Sequence, residues 1–335
     1  MVFGLGLGPS IVLGFVALVL LVYGAEQVVD KLTAVAAYYD LPDVLIAMSA
    51  VSFGTSLPEI ISHVIASIGI LTDSLQYEIA SATVLGANTG SDIVQQTLVL
   101  GIVVIAFSVA GVKRYFEFSR EFLKKDFLPI IGTSLMALVV SWDGVVSRLD
   151  GVVLIFAFLG YMYYLYRTRH GRLNHETSES DNVHRDIIVV VTAMAVVLAA
   201  AHIVLRVTEV LVEVTGLGGS IIGVTTLGIV AAMPEMFTAI EGIRQRASGI
   251  ALGTLIGSNV TNPLLGYGIG GLLSTYWVPR PLVLFDLPTE TVTALVLLGY
   301  LLFVSDRKLG WKGGATLVAM YAVYIVIRFS FFAVD

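Results

Sequence analysis

The chain has 335 residues, of which 57% are hydrophobic and 13% charged, with a mean hydropathy of +0.90. That is more apolar surface than one soluble core of this length can hide, so an ordinary soluble domain is excluded and the chain is an all-α polytopic membrane protein. A net charge of −6 gives no reason to expect a nucleic-acid partner, and the absence of cysteine excludes disulfides, thiolate metal sites and thiol catalysis.

About 20 apolar residues cross the hydrocarbon core as a helix. Ten such stretches centre near residues 17, 57, 98, 134, 158, 195, 229, 260, 294 and 320. They are long and continuous, unlike the short alternating strands of a membrane β-barrel. No basic residue precedes Lys31, so the first stretch lacks the charged front of a signal peptide and reads as a retained helix with its amino terminus outside. Of the 19 lysines and arginines, fifteen fall in one set of loops; only Arg148, Arg206, Arg280 and Arg328 fall in the other. Cytoplasmic loops concentrate basic residues, which predicts a multi-pass cell-membrane protein with both termini outside and the central loop inside.

That central loop, residues 168–186, is polar and divides the chain into five-span halves, 1–167 and 187–335. An odd number of spans per half inverts the second half relative to the first, so the expected architecture is ten transmembrane helices in two inverted five-helix repeats. The loop histidines His170, His175 and His184 read as solvated rather than metal-binding. The basic and aromatic residues from Lys113 to Phe127 predict an interfacial helix. Spans four, five, nine and ten read as bland lipid-facing scaffold, and spans one and six as elements able to slide against the core.

Polar residues gather in the second and third spans of each half. The second span holds Ser52 and Gly54-Thr55-Ser56-Leu57-Pro58-Glu59, and its counterpart holds Met233-Pro234-Glu235. A carboxylate at the bilayer centre costs at least ~2.5–3.5 kcal/mol, so one kept there faces a cavity, a partner or an ion. Pro58 leaves the Gly54 carbonyl without its helical donor, and Pro234 does the same for Val230, breaking both helices. Ser56 and Glu59 match a capping box that would restart the helix. The third spans carry Gly86, Gly90, Ser91 and Gln95 in one half, and Gly253, Gly257, Ser258 and Asn262 in the other. Glycines four apart admit close helix approach, and serine and amide four apart share a face. Each third helix is therefore expected to present two oxygens to a glutamate. An all-oxygen set with two carboxylates suits a hard cation such as Ca²⁺, whereas zinc or copper would favour His or Cys.

These paired motifs resemble the alpha repeats of the calcium/cation antiporter superfamily, which includes the sodium/calcium exchangers. The resemblance covers about residues 54–95 and 223–262 and implies the inverted ten-helix fold. It implies Glu59 and Glu235 as central Ca²⁺ ligands, with Thr55, Ser56, Ser91 and Ser258 helping to bind the transported ions. Gln95 and Asn262 would fill the amide or acid positions, and Asp92 and Ser52 are further candidates. The chain departs from the sodium/calcium pattern at Val230-Ala231-Ala232, where a second Gly-Thr-Ser is expected, and at Gln95 and Asp92, where asparagine is usual. Gln95 is closer to the proton-coupled members.

The expected function is secondary antiport of Ca²⁺ against Na⁺ by alternating access, with Ca²⁺/H⁺ exchange through the same glutamates as the alternative. No cofactor is expected, because the ions are cargo. A cation channel would share the oxygen ligands, but an internal inverted repeat favours a rocking carrier. An intramembrane enzyme using Glu59 with His63 lacks any accompanying His-Glu-x-x-His or nucleophile elbow, and His63 reads as a packed or cavity-facing residue.

Overall fold

Hydrocarbon offers the backbone no hydrogen bonds, so a spanning chain must satisfy its own peptide groups as helix. The computed structural model describes residues 6–38, 56–109, 115–168, 182–244, 255 and 257–335, and helix is present in the described part of each apolar stretch, from Leu57 onward in the second. Among the described residues six helices are long and apolar enough to cross a membrane, and Leu57–Leu71 and Leu128–Val140 are shorter apolar helices.

In chain order, α1 is Leu7–Tyr38 and α2 is Leu57–Leu71; α3, Tyr77–Val94, runs through a π-helical turn at Gln95–Val99 into α4, Leu100–Val109. Strand β1, Tyr115–Glu117, and a second π-helical turn, Leu123–Phe127, lead to α5, Leu128–Val140. Then come β2, Val145–Val146, α6, Arg148–Thr168, and α7, Val183–Thr215. Gly216 ends α7 in the left-handed conformation at φ 69°, as helix ends favour. The next span is broken into α8, Gly219–Ile222, a π-helical turn at Gly223–Leu227, α9, Gly228–Ala231, and α10, Met233–Arg244. Residues 257–261 are helical and enter a π-helical turn at Asn262–Tyr267, followed by α11, Gly268–Ser274. Strand β3, Tyr276–Trp277, and a π-helical turn at Leu282–Asp286 precede α12, Leu287–Gly299. A last π-helical turn, Tyr300–Val304, leads to β4, Lys308–Gly310, and α13, Trp311–Phe331.

The burial pattern runs opposite to that of a soluble protein. Only 22% of the apolar window of α7 is buried inside the protein, and its outer face carries Ile187, Ile188 and Val191. The π-helical turns and the middle of α3 are buried and polar. The longest helix contact pairs α1 with α7. Along it Gly14 lies against Val207 and Gly24 against Val197.

The strands tie loops of the two halves together. Tyr115–Glu117 pairs antiparallel with Lys308–Gly310, and Val145–Val146 with Tyr276–Trp277. The first pairing corrects the expectation of a helix from Lys113 to Phe127 at Tyr115–Glu117, which is strand, whereas Arg120–Phe127 is helical as expected. Phe116, in the strand, is 2% exposed and packs on Phe107 and Phe118, so these phenylalanines face protein, whereas Tyr115 is exposed. Lys113, Arg114, His170 and His175 lie outside the described residues, and His184 is exposed in the first turn of α7.

Candidate functional site

The site begins where the second span breaks. Helix α2 starts at Leu57 with Pro58 in its first turn, where a missing N–H costs nothing because the first turn lacks acceptors anyway. The expected capping box is not formed: Ser56 makes no side-chain cap. Its Oγ is buried and, among the described residues, has no hydrogen-bond partner; the same holds for Glu59 Oε2. Gly54, Thr55 and Ser52 lie outside the described residues.

Helix α3 supplies the facing polar surface. Ser91 Oγ donates to Glu59 Oε1 at 3.2 Å, and Gln95 Nε2 donates to Ser91 Oγ at 3.0 Å. The serine-amide pair of the first half therefore does share a face, but only the serine bonds to Glu59. The Gln95 carbonyl oxygen accepts instead from Ser258 Oγ at 2.5 Å and Asn259 Nδ2 at 2.7 Å. Asn262 Nδ2 donates to Asp92 Oδ1 at 2.9 Å, and its backbone carbonyl accepts from Asn88 Nδ2, also at 2.9 Å. The second half's amides thus reach across to α3. In the first half the expected serine-to-glutamate bond is present, through Ser91.

The close approach expected of the glycines also runs between halves. A Cβ on Gly90 would stand 2.6 Å from the Val224 Cα, and one on Gly228 would stand 2.7 Å from the Ser91 backbone nitrogen. Gly86 and Gly223 lie equally tight against Ser220 and Thr83. Helix α3 is thereby pressed against α8, the Gly223–Leu227 turn and α9, so Ser91 sits beside the second broken span. Gly253 lies outside the described residues.

At the second break, α9 ends at Ala231 and α10 begins at Met233. The Ala232 backbone N–H is directed to the carbonyls of Gly228 and Val230. Glu235, in the first turn of α10, is 0% exposed, and Glu59 is 4% exposed. Neither acid is turned toward lipid. Val230 and Ala231 line, with Leu18, Pro58, Glu59 and Ser62, a crevice that opens beside α1. Ala231 and Ala232 offer no hydroxyl there.

Sequence reading understated four residues. Asn88, Gln96 and Asn259 are buried and bonded within the same network, with Gln96 Nε2 donating to Asn259 Oδ1 at 2.8 Å. Asn259 follows Ser258 as Asp92 follows Ser91, so the repeat itself marks it. The fourth is Glu290 of α12, 1% exposed in a span expected to be bland; an acid in an apolar stretch is the signal that would have found it. His63 is buried as expected, its Nε2 3.4 Å from Asn88 Nδ2 and its ring beside Tyr267 and Tyr276.

Apolar helices enclosing a buried cluster of acids, amides and hydroxyls mark a polytopic membrane transporter of cations. A profile of the family "Sodium/calcium exchanger protein" matches residues 9–167 and 186–330, and the chain belongs to that family. It is 28% identical to the inner membrane protein YrbG of Escherichia coli, over 77% of this chain and 78% of that one. It is 24% identical to the sodium/calcium exchanger MaX1 of Methanosarcina acetivorans, over 93% and 96%. Among solved structures, the sodium-calcium exchanger NCX_Mj aligns with TM-score 0.60 at 21% identity, covering 97% of this chain and 99% of the other. An H⁺/Ca²⁺ exchanger, CAX, aligns with TM-score 0.70 at 15% identity, covering 96% and 86%. Both likenesses concern the fold.

Proposed function

We propose that this protein is a secondary active antiporter that exchanges Ca²⁺ for Na⁺ across the cell membrane by alternating access, with Glu59 and Glu235 as its central Ca²⁺ ligands. Ser56, Ser91 and Ser258, the Val230 carbonyl and the Asn262 and Gln95 amides complete the set, with Gly54, Thr55 and Ser52 contributing from the stretch before the break. The carrying observation is that Ser56 Oγ and Glu59 Oε2 are both buried and lack a hydrogen-bond partner among the described residues, and that Glu59 lines the crevice. Buried oxygens in that condition cost free energy unless something satisfies them, and a hard cation satisfies hydroxyl and carboxylate together.

An inverted ten-helix repeat fits the same facts. Gln95 and Asn262, the matched amides, each open a π-helical turn, a distortion found often at functional sites. The two strand pairs each join a loop of one half to a loop of the other. The loop charges favour both termini outside and the 168–186 linker in the cytoplasm. Two empty carboxylates in low dielectric repel each other and lack solvation, so the closed state requires a cation to neutralise them, and exchange becomes obligatory. The MaX1 relative is named for sodium/calcium exchange, in line with this reading.

Ca²⁺/H⁺ exchange is the second reading, favoured by Ala231 and Ala232, where a sodium site would want hydroxyls. Purified protein in vesicles should accumulate ⁴⁵Ca²⁺ against an outward Na⁺ gradient at fixed pH. Accumulation driven only by an outward proton gradient would select the second reading, and uptake indifferent to both would overturn antiport. Glu59→Gln and Glu235→Gln should each nearly abolish the driven uptake, and wild-type rates in either variant would contradict its assigned role.

A further inference from the structure

Two side chains that the ion chemistry leaves unused meet beside the site. His63, on α2, follows Glu59 by one helical turn, and Asn88, on α3, precedes Ser91 and Asp92; both are 1% exposed. Helices α2 and α3 each pack against the Asn262–Tyr267 turn. The Asn88 amide nitrogen stands 2.9 Å from the Asn262 backbone oxygen and 3.4 Å from His63 Nε2. An amide nitrogen has two hydrogens, and these two acceptors use both: the carbonyl takes one and the neutral imidazole the other. Nε2 is then the ring's acceptor, which puts the ring proton on Nδ1. Among the described residues Asn88 is the ring's one hydrogen-bond partner, since Nδ1 has none. The space for the pair is kept by Gly266, on the same turn: a Cβ there would collide with Asn88 Nδ2 and stand 2.9 Å from His63 Cδ2 and Nε2.

Asn262 is held twice as a result. Its backbone carbonyl accepts from Asn88, its Nδ2 donates to Asp92 Oδ1, and its side-chain oxygen is left buried without a partner among the described residues. At the far end of the turn, the Tyr267 hydroxyl shares a hydrogen bond with Thr89 at 2.6 Å. We infer that His63 and Asn88 are positioning residues of the cation site: the ring fixes the rotation of the Asn88 amide, the amide fixes the Asn262 backbone, and the free Asn262 oxygen is thereby held ready for the cation. The contacts run from α2 through α3 to the turn, so they couple the helix that carries Glu59 to a ligand of the other half. The role is orientation and not ligation. Partners one step removed from a metal set its affinity by about 10- to 100-fold. The inference rests on the reading of Asn262 as a ligand of the transported ion.

The test is equilibrium binding of ⁴⁵Ca²⁺ to the purified full-length protein in detergent at fixed pH, read beside its melting temperature. Wild type should bind Ca²⁺, and Glu59→Gln should not. Asn88→Leu, which keeps the size and removes both N–H groups, should weaken binding by about 10-fold or more. Gly266→Ala, which alters neither partner but fills their space, should do the same, so a folding defect in one variant does not decide the matter. His63→Phe should weaken binding in the same direction, whereas His63→Gln, whose side-chain oxygen accepts from an amide, should retain most of the wild-type affinity. Ser274→Ala removes a buried hydrogen bond to Ser67 that lies outside these contacts; it should lower the melting temperature and leave the affinity unchanged. Wild-type affinity in both Asn88→Leu and Gly266→Ala, with Glu59→Gln binding none, would overturn the positioning role while the cation site stands. Affinity that falls equally in Ser274→Ala would reduce the effect to general stability and overturn the role as well. A wild type that binds no better than Glu59→Gln would remove the cation site itself, and the positioning role with it.

Discussion

Arg328 is 0% exposed although it sits on the last helix. Its Nε lies 3.0 Å from both oxygens of Asp286, its Nη2 donates to Ser220 Oγ at 2.5 Å, and Tyr324 donates to Asp286 Oδ1 at 2.6 Å. Removing one member of a buried ion pair strands the other, at a cost of about 3–5 kcal/mol. Arg328→Met should therefore lower the thermal unfolding temperature sharply, while the double change Arg328→Met with Asp286→Asn should recover most of it. Equal melting of the single variant and wild type would show that the pair carries no such load. This pair also marks the limit of residue-level reading. Glu59 and Glu235 stood out because each is an acid behind a proline in an apolar stretch and each has a copy. Glu290 obeys the same rule without a copy: in the matched Leu128-Pro129 and Leu287-Pro288 frames its counterpart is Ile131. A search led by repetition passes over it.

At the level of elements, packing between halves rests on glycines. The Cβ of Gly90→Ala would meet the Val224 Cα at 2.6 Å and its carbonyl oxygen at 2.7 Å. Both are backbone, so the helices themselves must part; overpacking of this kind costs about 1–3 kcal/mol. Gly132→Ala is the control, since nothing lies within 4 Å of its Cβ, and a helical alanine there should add roughly 0.5–1 kcal/mol. A Gly90→Ala melting curve at or above that of wild type would refute the close-packed interface. The apolar runs and paired prolines made the helices and their breaks legible. The π-helical turns were not, because an extra residue in one turn barely alters hydrophobic periodicity. The strand at Tyr115–Glu117 was also hidden: three residues carry almost no alternation, and its partner Lys308–Gly310 lies in the other half. The Ser56–Glu59 spacing misled in the opposite direction, since a capping pattern needs the serine bonded to the helix end, and here Ser56 makes no such bond.

Across the whole molecule, α1 and α7 form a pair with largely apolar outer faces, packed beside a core whose polar residues are enclosed. The first and sixth spans are expected to be able to slide against that core; that they do so as one packed pair has a direct test, made convenient by the absence of native cysteine. A Cβ built on Gly24 stands 4.0 Å from the Val197 Cβ, within the range a disulfide spans. Gly24→Cys with Val197→Cys should crosslink under oxidation and leave calcium exchange within about twofold of the reduced protein. Loss of exchange on oxidation, restored by reduction, would mean that the two helices must separate and would discard the sliding pair. The central claim, that buried acids permit a change of side only when a cation neutralises them, is tested most directly by efflux. Vesicles preloaded with ⁴⁵Ca²⁺ and diluted into medium free of Na⁺ and Ca²⁺, buffered at high pH with an impermeant cation, should retain their label; adding Na⁺, or acid under the proton-coupled reading, should release it. Rapid efflux into the ion-free medium through wild-type protein, absent from protein-free vesicles, would contradict the account.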